Sequence, residues 1–442
     1  MNSERESEAR ASVRRLRDAG FVAYLAGGCV RDRVLGVAAK DYDIATDARP
    51  EVVQSLFDNT VAVGAKFGVI LVVSGSDEFE VATFRADAHY VDGRRPSSVR
   101  FGTIEEDAAR RDFTINGMFF DPEKERVIDL VGGMRDLRAG IIRAIGDPRE
   151  RFSEDRLRML RAVRLAARLN FTIEPATWKA ITESAATVGI ISAERIGEEI
   201  VMALTEGAPA RAMDLMLHSG LMRAVLPEVA QLVGVEQPNN FHPEGDVYVH
   251  TRLALSMLEP GCSETLAFGT LLHDIAKPQC RTQHDGKVTF FGHTERGAEM
   301  ATEILRRLKR SRFVQERVAY LVRHHLRLCM APRMRPATLK RMLAEEGFAE
   351  LMELSRLDAL ASSSYLGFYH FCKAAIREFG HEEIKPAPLI GGNDLIAMGF
   401  TPGPRFKTIL KEVEDRQLDG ELRSREDALD YVRAHHAPQS PA

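Results

Sequence analysis

The first 145 residues set short apolar runs between polar segments. FVAYLAGG, DYDIAT, VILVVSG, FEVATFR and RVIDLVGG are rich in β-branched and aromatic residues and too short for helices. They predict strands, with helical stretches between some of them, and so an α+β domain with a small mixed sheet. Within it, DAHYVDGRRPSSV gathers Gly, Pro, Ser, Asp and Arg, which predicts a mobile loop.

From about residue 150 the period changes. In SEDRLRMLRAVRLAARL, Leu157, Leu160, Val163, Leu165 and Leu169 recur at helical spacing. Ser153 is the expected cap, with Glu154 and Asp155 in the first turn. Helical periods continue through SAERIGEEIVMAL and ARAMDLMLHSGLMRAVL. VEQPNNFHPEGD reads as a loop, followed by a histidine-rich helical stretch to about residue 375. HEEIKPAPLIGGNDL reads as a linker before a short helical tail. The pattern divides the chain into residues 1–146, 147–235, 236–375 and 376–442, with no internal repeat.

Sixty Lys+Arg against 64 Asp+Glu give a net charge of −4. That excludes a globally basic nucleic-acid coat, so contact with RNA needs a local patch. Residues 143–168 hold eight Arg against four acids, and residues 301–341 hold twelve Lys/Arg against two Glu. Either run alone reads as a solvated helix face; two in an acidic chain point to a polyanion partner. The five cysteines form no C-x-x-C pair, which excludes a zinc ribbon and fits a reducing compartment. No apolar run approaches the ~18 residues of a membrane span. The polar N-terminus is not a signal peptide. A soluble cytoplasmic protein with no membrane partner is expected.

The sharpest chemical signal is LAGGCVRDRVLGVAAKDYDIAT. Gly27-Gly28 ends a predicted strand and opens a short helix carrying Arg31, an arrangement that lets backbone N–H groups approach a phosphate. Asp41 and Asp43 are two apart and would share a strand face. Paired carboxylates repel unless cations sit between them, and hard oxygen ligands beside phosphate favour Mg²⁺. Glu78 and Glu80 offer a third acid. Two metals there would activate a hydroxyl and neutralise a leaving pyrophosphate. RRDFTINGM adds Arg110 and Arg111 to clamp a triphosphate, with Asp112 to accept from a ribose hydroxyl and Asn116 beside it.

The third element is Glu154-Asp155-x-x-Arg158, followed by Arg161 and Arg164. At i and i+3 on a helix, Asp155 and Arg158 would be neighbours. Cytosine and adenine both place an amino donor beside a ring-nitrogen acceptor; uracil and guanine reverse that order. One carboxylate and one guanidinium would therefore accept C and A and reject U and G.

GGCVRD, DYD, RRDFTINGM and EDRLRMLRAVR, in this order, resemble the class II tRNA nucleotidyltransferase / bacterial poly(A) polymerase family. The resemblance is close over residues 20–230 and looser beyond, through a tail containing LIGGNDLIAMGFTPGPRF. It implies a nucleotidyltransferase head, then helical neck, HD-type body and tail, with tRNA, ATP and CTP as partners. It implies template-free addition of CMP and AMP to the tRNA 3′ end. Asp41, Asp43 and Glu80 would be catalytic, the two aspartates holding Mg²⁺. Gly27, Gly28, Arg31, Arg111, Asp112, Asn116, Glu154, Asp155, Arg158, Arg161 and Arg164 would bind the nucleotide. The chain departs from the family at Arg156, where Pro is frequent, and at Gly117, where Ala is frequent. The full-length segment around DAHYVDGRRPSSVRFG implies an enzyme able to add A, since CC-only members shorten it. A-adding and poly(A)-adding members remain alternatives.

His250, His273-Asp274, His293, His324-His325 and Asp358 form a second constellation. Imidazole and carboxylate ligate divalent transition metals. Their order, with LLHDIAKP carrying Lys277 and Pro278, resembles the HD phosphohydrolase superfamily. His325 is preferred to His324 as ligand. A metal-dependent phosphohydrolase acting on RNA ends is the alternative function of another class.

Overall fold

The computed structural model describes residues 2–64, 68–75, 77–90, 96–238, 242–285, 287–384 and 386–436. The chain forms two compact units, residues 1–230 with 259–261, and residues 231–258 with 262–442.

The first unit carries a set of helices and, up to residue 128, nine strands among the described residues: β1 (Ala23–Ala26), β2 (Asp43–Thr46), β3 (Thr60–Gly64), β4 (Val69–Ser74), β5 (Asp77–Thr83), β6 (Arg85–Tyr90), β7 (Pro96–Phe101), β8 (Phe119–Asp121) and β9 (Arg126–Ile128). Seven of them form one sheet in the order β3-β4-β5-β2-β1-β8-β9. Neighbours run antiparallel except β2 and β5, which are parallel and set Asp43 opposite Glu80. In β5 the period-two pattern is plain: Phe79, Val81 and Thr83 are buried while Glu78 and Glu80 are exposed. The sequence pattern misses β3, of five residues, and β8, of three. DAHYVDGRRPSSV is no free loop along its length, because its flanks pair as an antiparallel ribbon from Arg85–Phe101 to Tyr90–Pro96. Residues 91–95 between them lie outside the described residues.

Helices α1 (Asn2–Asp18), α2 (Gly28–Val34), α3 (Pro50–Leu56), α4 (Ile104–Arg110) and α5 (Gly133–Ala139) accompany this sheet. The Asp129 carboxylate accepts from the backbone N–H groups of Val131, Gly132, Gly133 and Met134 and so fixes the start of α5. A Cβ on Gly133 would strike the Thr114 carbonyl oxygen and lie 2.7 Å from Met118 Cγ. Gly117 is similarly enclosed: a Cβ there would lie 2.7 Å from Val131 Cγ2. That is a physical reason for glycine at this position.

A short parallel pair, β10 (Ile141–Ile142) with β11 (Thr172–Ile173), leads into α6 (Pro148–Glu154) and α7 (Leu157–Arg168). Two helices replace the single one expected from Ser153 onward. Asp147 caps α6, accepting from Arg149 N–H at 2.8 Å, while Ser153 lies inside it and donates to the Glu150 carbonyl. Leu157, Leu160, Val163 and Leu165 of α7 are buried as the spacing predicts. The unit ends with α8 (Pro175–Ser184), α9 (Ala193–Thr205), α10 (Pro209–Ser219), α11 (Leu221–Val225) and α12 (Pro227–Ala230).

The second unit is helical: α13 (Val247–Ser256), α14 (Glu264–Leu272), α15 (Lys277–Cys280), α16 (His293–Arg307), α17 (Arg312–His324), α18 (Pro336–Ala344), α19 (Phe348–Ala361), α20 (Gly367–Ile384), α21 (Gly392–Ala397), α22 (Pro404–Leu418) and α23 (Arg425–His435). Its one ribbon pairs β12 (Thr282–His284) with β13 (Lys287–Thr289). One core gathers Leu321, Leu351, Leu354 and Cys372; a second, formed by Leu395, Ile409, Val413 and Val432, holds the tail. The expected linker is partly helical, since α20 runs to Ile384 with a non-helical Gly380 (φ 64, ψ 173) inside it. Among the described residues no helix is long and apolar enough to cross a membrane.

Gly133→Ala is expected to destabilise the protein by about 1–3 kcal/mol, the usual cost of forcing volume into a packed site. A thermal melt reads this as a fall in Tm, and an unchanged Tm would contradict the close approach of α5 to the Thr114–Met118 segment.

Candidate functional site

Gly27 ends β1 and precedes α2 with φ +77, a backbone that L side chains rarely adopt. A Cβ there would lie 3.2 Å from Arg111 Nη1 and 3.4 Å from Asp43 Oδ2, so glycine is what lets these two groups approach the turn. Helix α2 is only seven residues long, so its dipole is small; the cradle rests on the turn and on arginines.

The three acids reach the site differently from the strand-face expectation. β2 begins at Asp43, so Asp41 lies ahead of the strand and off its ladder. Buried Tyr42 turns the chain inward there, and Arg5 of α1 donates to the Lys40 carbonyl at 2.7 Å and pairs with Asp41 at 3.4 Å. Asp43 and Glu80 meet through strand pairing instead. All three still line one cavity of about 580 Å³. Burial, then the charges of Glu80 and Asp41, push the Asp43 carboxyl up to about 6 against the pull of Arg111. Carboxylates crowded this way form a hard oxygen donor set that fits a divalent cation.

Arginines of the same cavity are held by internal acids. Arg31 is buried, bonding Asp32 at 2.8 Å and Asn116 Oδ1 at 2.7 Å. Arg111 bonds Asp107 at 3.1 Å through Nη2, and Arg110 grips the same carboxylate. Asp112 is saturated: Oδ1 accepts from Phe113 N–H and Asn116 Nδ2, and Oδ2 accepts from Nε and Nη2 of Arg161. Burial alone would raise the Asp112 pKa; the Arg161 guanidinium overcomes it and holds the group at about 2. Arg161 also reaches Glu199 at 3.4 Å, while Arg164 bonds Glu199 at 2.7 Å and Glu206 at 3.1 Å.

Asp155 and Arg158 do not pair with each other, contrary to the i, i+3 expectation. The chain breaks between α6 and α7, leaving Asp155 in extended backbone (φ −144, ψ 103). Arg195 of α9 takes its carboxylate with both guanidinium nitrogens, at 3.2 and 2.7 Å. Arg158 is held by Glu154 at 2.7 Å and by the Arg151 and Arg110 carbonyls. Both residues nevertheless line the cavity. Arg195, Glu199 and Glu206 escaped the sequence reading. Arg195 and Glu199 stand four apart on one helix face in SAERIGEEI, a spacing that does not point to Asp155, Arg161 or Arg164.

In the second unit the predicted ligands converge. His250 Nε2 lies 3.1 Å from His273 Nε2 and 3.0 Å from Asp358 Oδ1. Asp274 lies 3.3 Å from His273 Nε2, 3.6 Å from His293 Nε2 and 3.9 Å from His325 Nε2. The other ring nitrogens are turned outward: Nδ1 of His273, His293 and His325 faces the carbonyls of Thr270, Phe290 and Val322, and Nδ1 of His250 faces Glu244. That is how a protein orients imidazoles toward a metal. His325, not His324, is in the cluster; His324 packs on Tyr320. Asp274 Oδ1 and His293 Nε2 are buried without a hydrogen-bond partner, the mark of a site that expects an ion. Burial pushes His325 down to about 4, whereas Asp358 and Glu244 overcome burial to hold His250 up at about 9. Glu244 was also missed from sequence; it lies in the loop before α13 and carries no motif.

The basic run of residues 301–341 is less free than its composition suggests. Arg310, Arg317 and Arg327 pair with Glu264, Glu346 and Glu345, acids outside the run, and Arg312 pairs with Glu316 within it.

Family models match this chain as "Poly A polymerase head domain" over residues 23–143, "Probable RNA and SrmB- binding site of polymerase A" over 170–232 and "HD domain" over 246–362. The chain is similar to a CCA-adding enzyme of Levilactobacillus brevis, 33% identical over 95% of this chain and 96% of that one. It is also similar to a CCA-adding enzyme of Bacillus licheniformis, 45% identical over 48% of this chain and 53% of that one. The solved structure of the Bacillus stearothermophilus CCA-adding enzyme in complex with CTP covers 97% of this chain and 98% of its own, with TM-score 0.75 and 26% identity. The Thermotoga maritima enzyme complexed with tRNA shares the fold at TM-score 0.58 and 22% identity, over 97% and 94% of the two chains. Fold and site thus define a nucleotidyltransferase head on a chain that also carries an HD domain. The chain belongs to the CCA-adding enzyme family.

Asp43→Asn is expected to raise the stability of the metal-free protein at neutral pH by on the order of 1–3 kcal/mol. Folding raises the Asp43 pKa from 3.8 to about 6, so the ionised group opposes folding. That opposition is absent below pH 4, grows between pH 4 and 6 and is full above 6, and the variant's gain in Tm in EDTA should follow the same course. A loss of stability at pH 7 would contradict the crowding of these carboxylates.

Proposed function

We propose that the first unit adds CMP and AMP, from CTP and ATP, to the 3′ end of tRNA without a nucleic-acid template. The observation that carries this reading is one cavity joining Asp41, Asp43 and Glu80 to Arg111, Asp155 and Arg158. It sets acids suited to a metal–triphosphate beside an acceptor and a donor suited to a base. The relatives' name, CCA-adding enzyme, supports the same reaction. A tRNA substrate fits a cytoplasmic location.

On this reading Asp41 and Asp43 would hold Mg²⁺ with Glu80 as the additional catalytic acid, and the bound ion would neutralise phosphate charge and favour attack by the tRNA hydroxyl. Gly27 and Gly28 admit the triphosphate close to the backbone. Arg31, Arg111, Arg161 and Arg164 supply positive charge, Asn116 steadying Arg31. Since Arg161 saturates Asp112, a triphosphate that draws Arg161 away frees an Asp112 oxygen for the ribose hydroxyl. Asp155 accepts from the amino group of C or A, and Arg158 donates to the neighbouring ring nitrogen, with Glu154 holding Arg158 in place. Uracil or guanine would set donor against donor and acceptor against acceptor. The long segment 86–101 supports addition of A as well as C.

The HD cluster holds a divalent transition metal on His250, His273, Asp274, His293, His325 and Asp358. The orphaned Asp274 Oδ1 and His293 Nε2 favour this, and phosphoester hydrolysis at an RNA end is the activity such a site would add. The chain's division into head (1–146), neck (147–235), HD body (236–375) and tail (376–442) belongs to the same proposal.

Incubation with tRNA lacking CCA should show C incorporated from CTP alone and A added once C is in place. Asp43→Ala should cut incorporation at least a thousandfold. Incorporation of A without C would replace this reading with an A-adding or poly(A)-adding enzyme.

Protein purified without chelator should contain a transition metal by elemental analysis. His273→Ala should lose it while nucleotide addition persists. Metal-free protein with no phosphatase activity under added Ni²⁺, Co²⁺ or Mn²⁺ would leave the HD domain a structural body.

A further inference from the structure

We propose that Arg195 sets the base specificity of the site by positioning Asp155; this rests on Asp155 and Arg158 being the base-reading pair. A carboxylate offers about four lone-pair directions. In Asp155, Oδ1 uses two, accepting from the Leu157 N–H at 3.1 Å and from Arg195 Nη1 at 3.2 Å. Oδ2 uses one, accepting from Arg195 Nη2 at 2.7 Å. One acceptor direction is left, on Oδ2. Arg158 is limited in the same way. Nη1 spends both hydrogens on the Arg151 carbonyl and Glu154, and Nη2 spends one on the Arg110 carbonyl. Its Nε–H and a single Nη2 hydrogen remain.

The filled valences matter as much as the open ones. Asp155 stands in extended backbone between two helices, and within its own segment only the Leu157 N–H at the start of α7 holds its side chain, through Oδ1 alone. A carboxylate free to turn would offer several acceptor directions and would also admit water to bridge a mismatched base. The planar fork of Arg195 removes that freedom by binding both oxygens at once. What remains is one acceptor beside a donor, which matches the amino group and ring nitrogen of C and A. Arg195 touches no substrate on this account; it is a positioning residue. Helix α9 is fitted to the task because four residues on, Glu199 anchors Arg161 and Arg164 of α7. The same helix therefore braces both the base-reading acid and the arginines of the nucleotide cavity.

The test compares kcat/KM for CTP and UTP on tRNA lacking CCA, in the full chain and in Arg195→Gln, Arg195→Lys, Asp155→Ala and the double variant Asp155→Ala/Arg195→Gln. Arg195→Gln is expected to lower the CTP:UTP ratio about tenfold, within the range by which lost polar matching erodes selectivity. Arg195→Lys keeps a charge beside Asp155 without the two-point fork, and should lower the ratio too, at a Tm near that of the parent. The double variant should discriminate no worse than Asp155→Ala, because the two residues act as a unit. If both Arg195 variants keep the ratio within threefold while Asp155→Ala collapses it, Arg195 only supports the fold and the proposal fails. If Asp155→Ala itself keeps the ratio, the base-reading assignment fails first.

Discussion

The parallel pairing of β2 with β5 is the constraint on which the head depends. It is the one parallel neighbour relation in a seven-stranded sheet, and it fixes Asp43 beside Glu80. Sheet hydrogen bonds, not side-chain preference, hold these acids together. The cost is visible in the Asp43 carboxyl, raised first by burial and then by the neighbouring charges of Glu80 and Asp41. Asp41 stands outside the ladder and is tied to Arg5 instead.

Beyond the acids, the cavity is an assembly of buried and half-buried ion pairs. Removing one partner of a buried pair typically costs 3–5 kcal/mol, because the other charge is stranded. Arg164 against Glu199 is such a pair. A network this tightly matched presents little net field to an incoming triphosphate until some arginines exchange partners. Arg161 is suited to that exchange, since its side chain keeps some exposure where Arg164 is buried. Binding and rearrangement are then one event, driven by phosphate oxygens competing with Asp112.

Strands β1, β2, β4, β5 and β9 were legible in the sequence, and so was the buried stripe of α7. What escaped depends on the chain's third dimension. Asp41-x-Asp43 reads as a strand pair, but Tyr42 is drawn into the core and the strand starts late. Glu154-Asp155-x-x-Arg158 reads as one helical turn, but the helix breaks at Asp155. Asp41 and Asp43, and likewise Asp155 and Arg158, line one cavity, in a geometry that the spacing did not predict. Arg195 and Glu244 escaped altogether, because each acts on a residue forty or six positions away through a contact that no spacing encodes. The histidines were easier. Metal ligands need particular side chains in any order the fold allows, so composition carries more of that signal than periodicity does.

Selection of a base without a template demands that the protein supply what a complementary strand otherwise would. Base pairing discriminates by pairing donors with acceptors on a rigid edge. A protein edge is soft unless its surplus hydrogen-bonding capacity is already occupied. Here that occupation is visible atom by atom. Arg158 has its guanidinium spent on two carbonyls and Glu154, and Asp155 has its carboxylate spent on Arg195 and the Leu157 N–H. Leaving a buried donor or acceptor unmatched costs roughly 1–3 kcal/mol, so a doubly mismatched base forfeits roughly 2–6 kcal/mol against a matched one. That is enough to discriminate by about thirtyfold to about twenty-thousandfold, provided the two side chains cannot turn to recover the loss. The discrimination thus resides less in Asp155 and Arg158 than in the groups that keep them from moving.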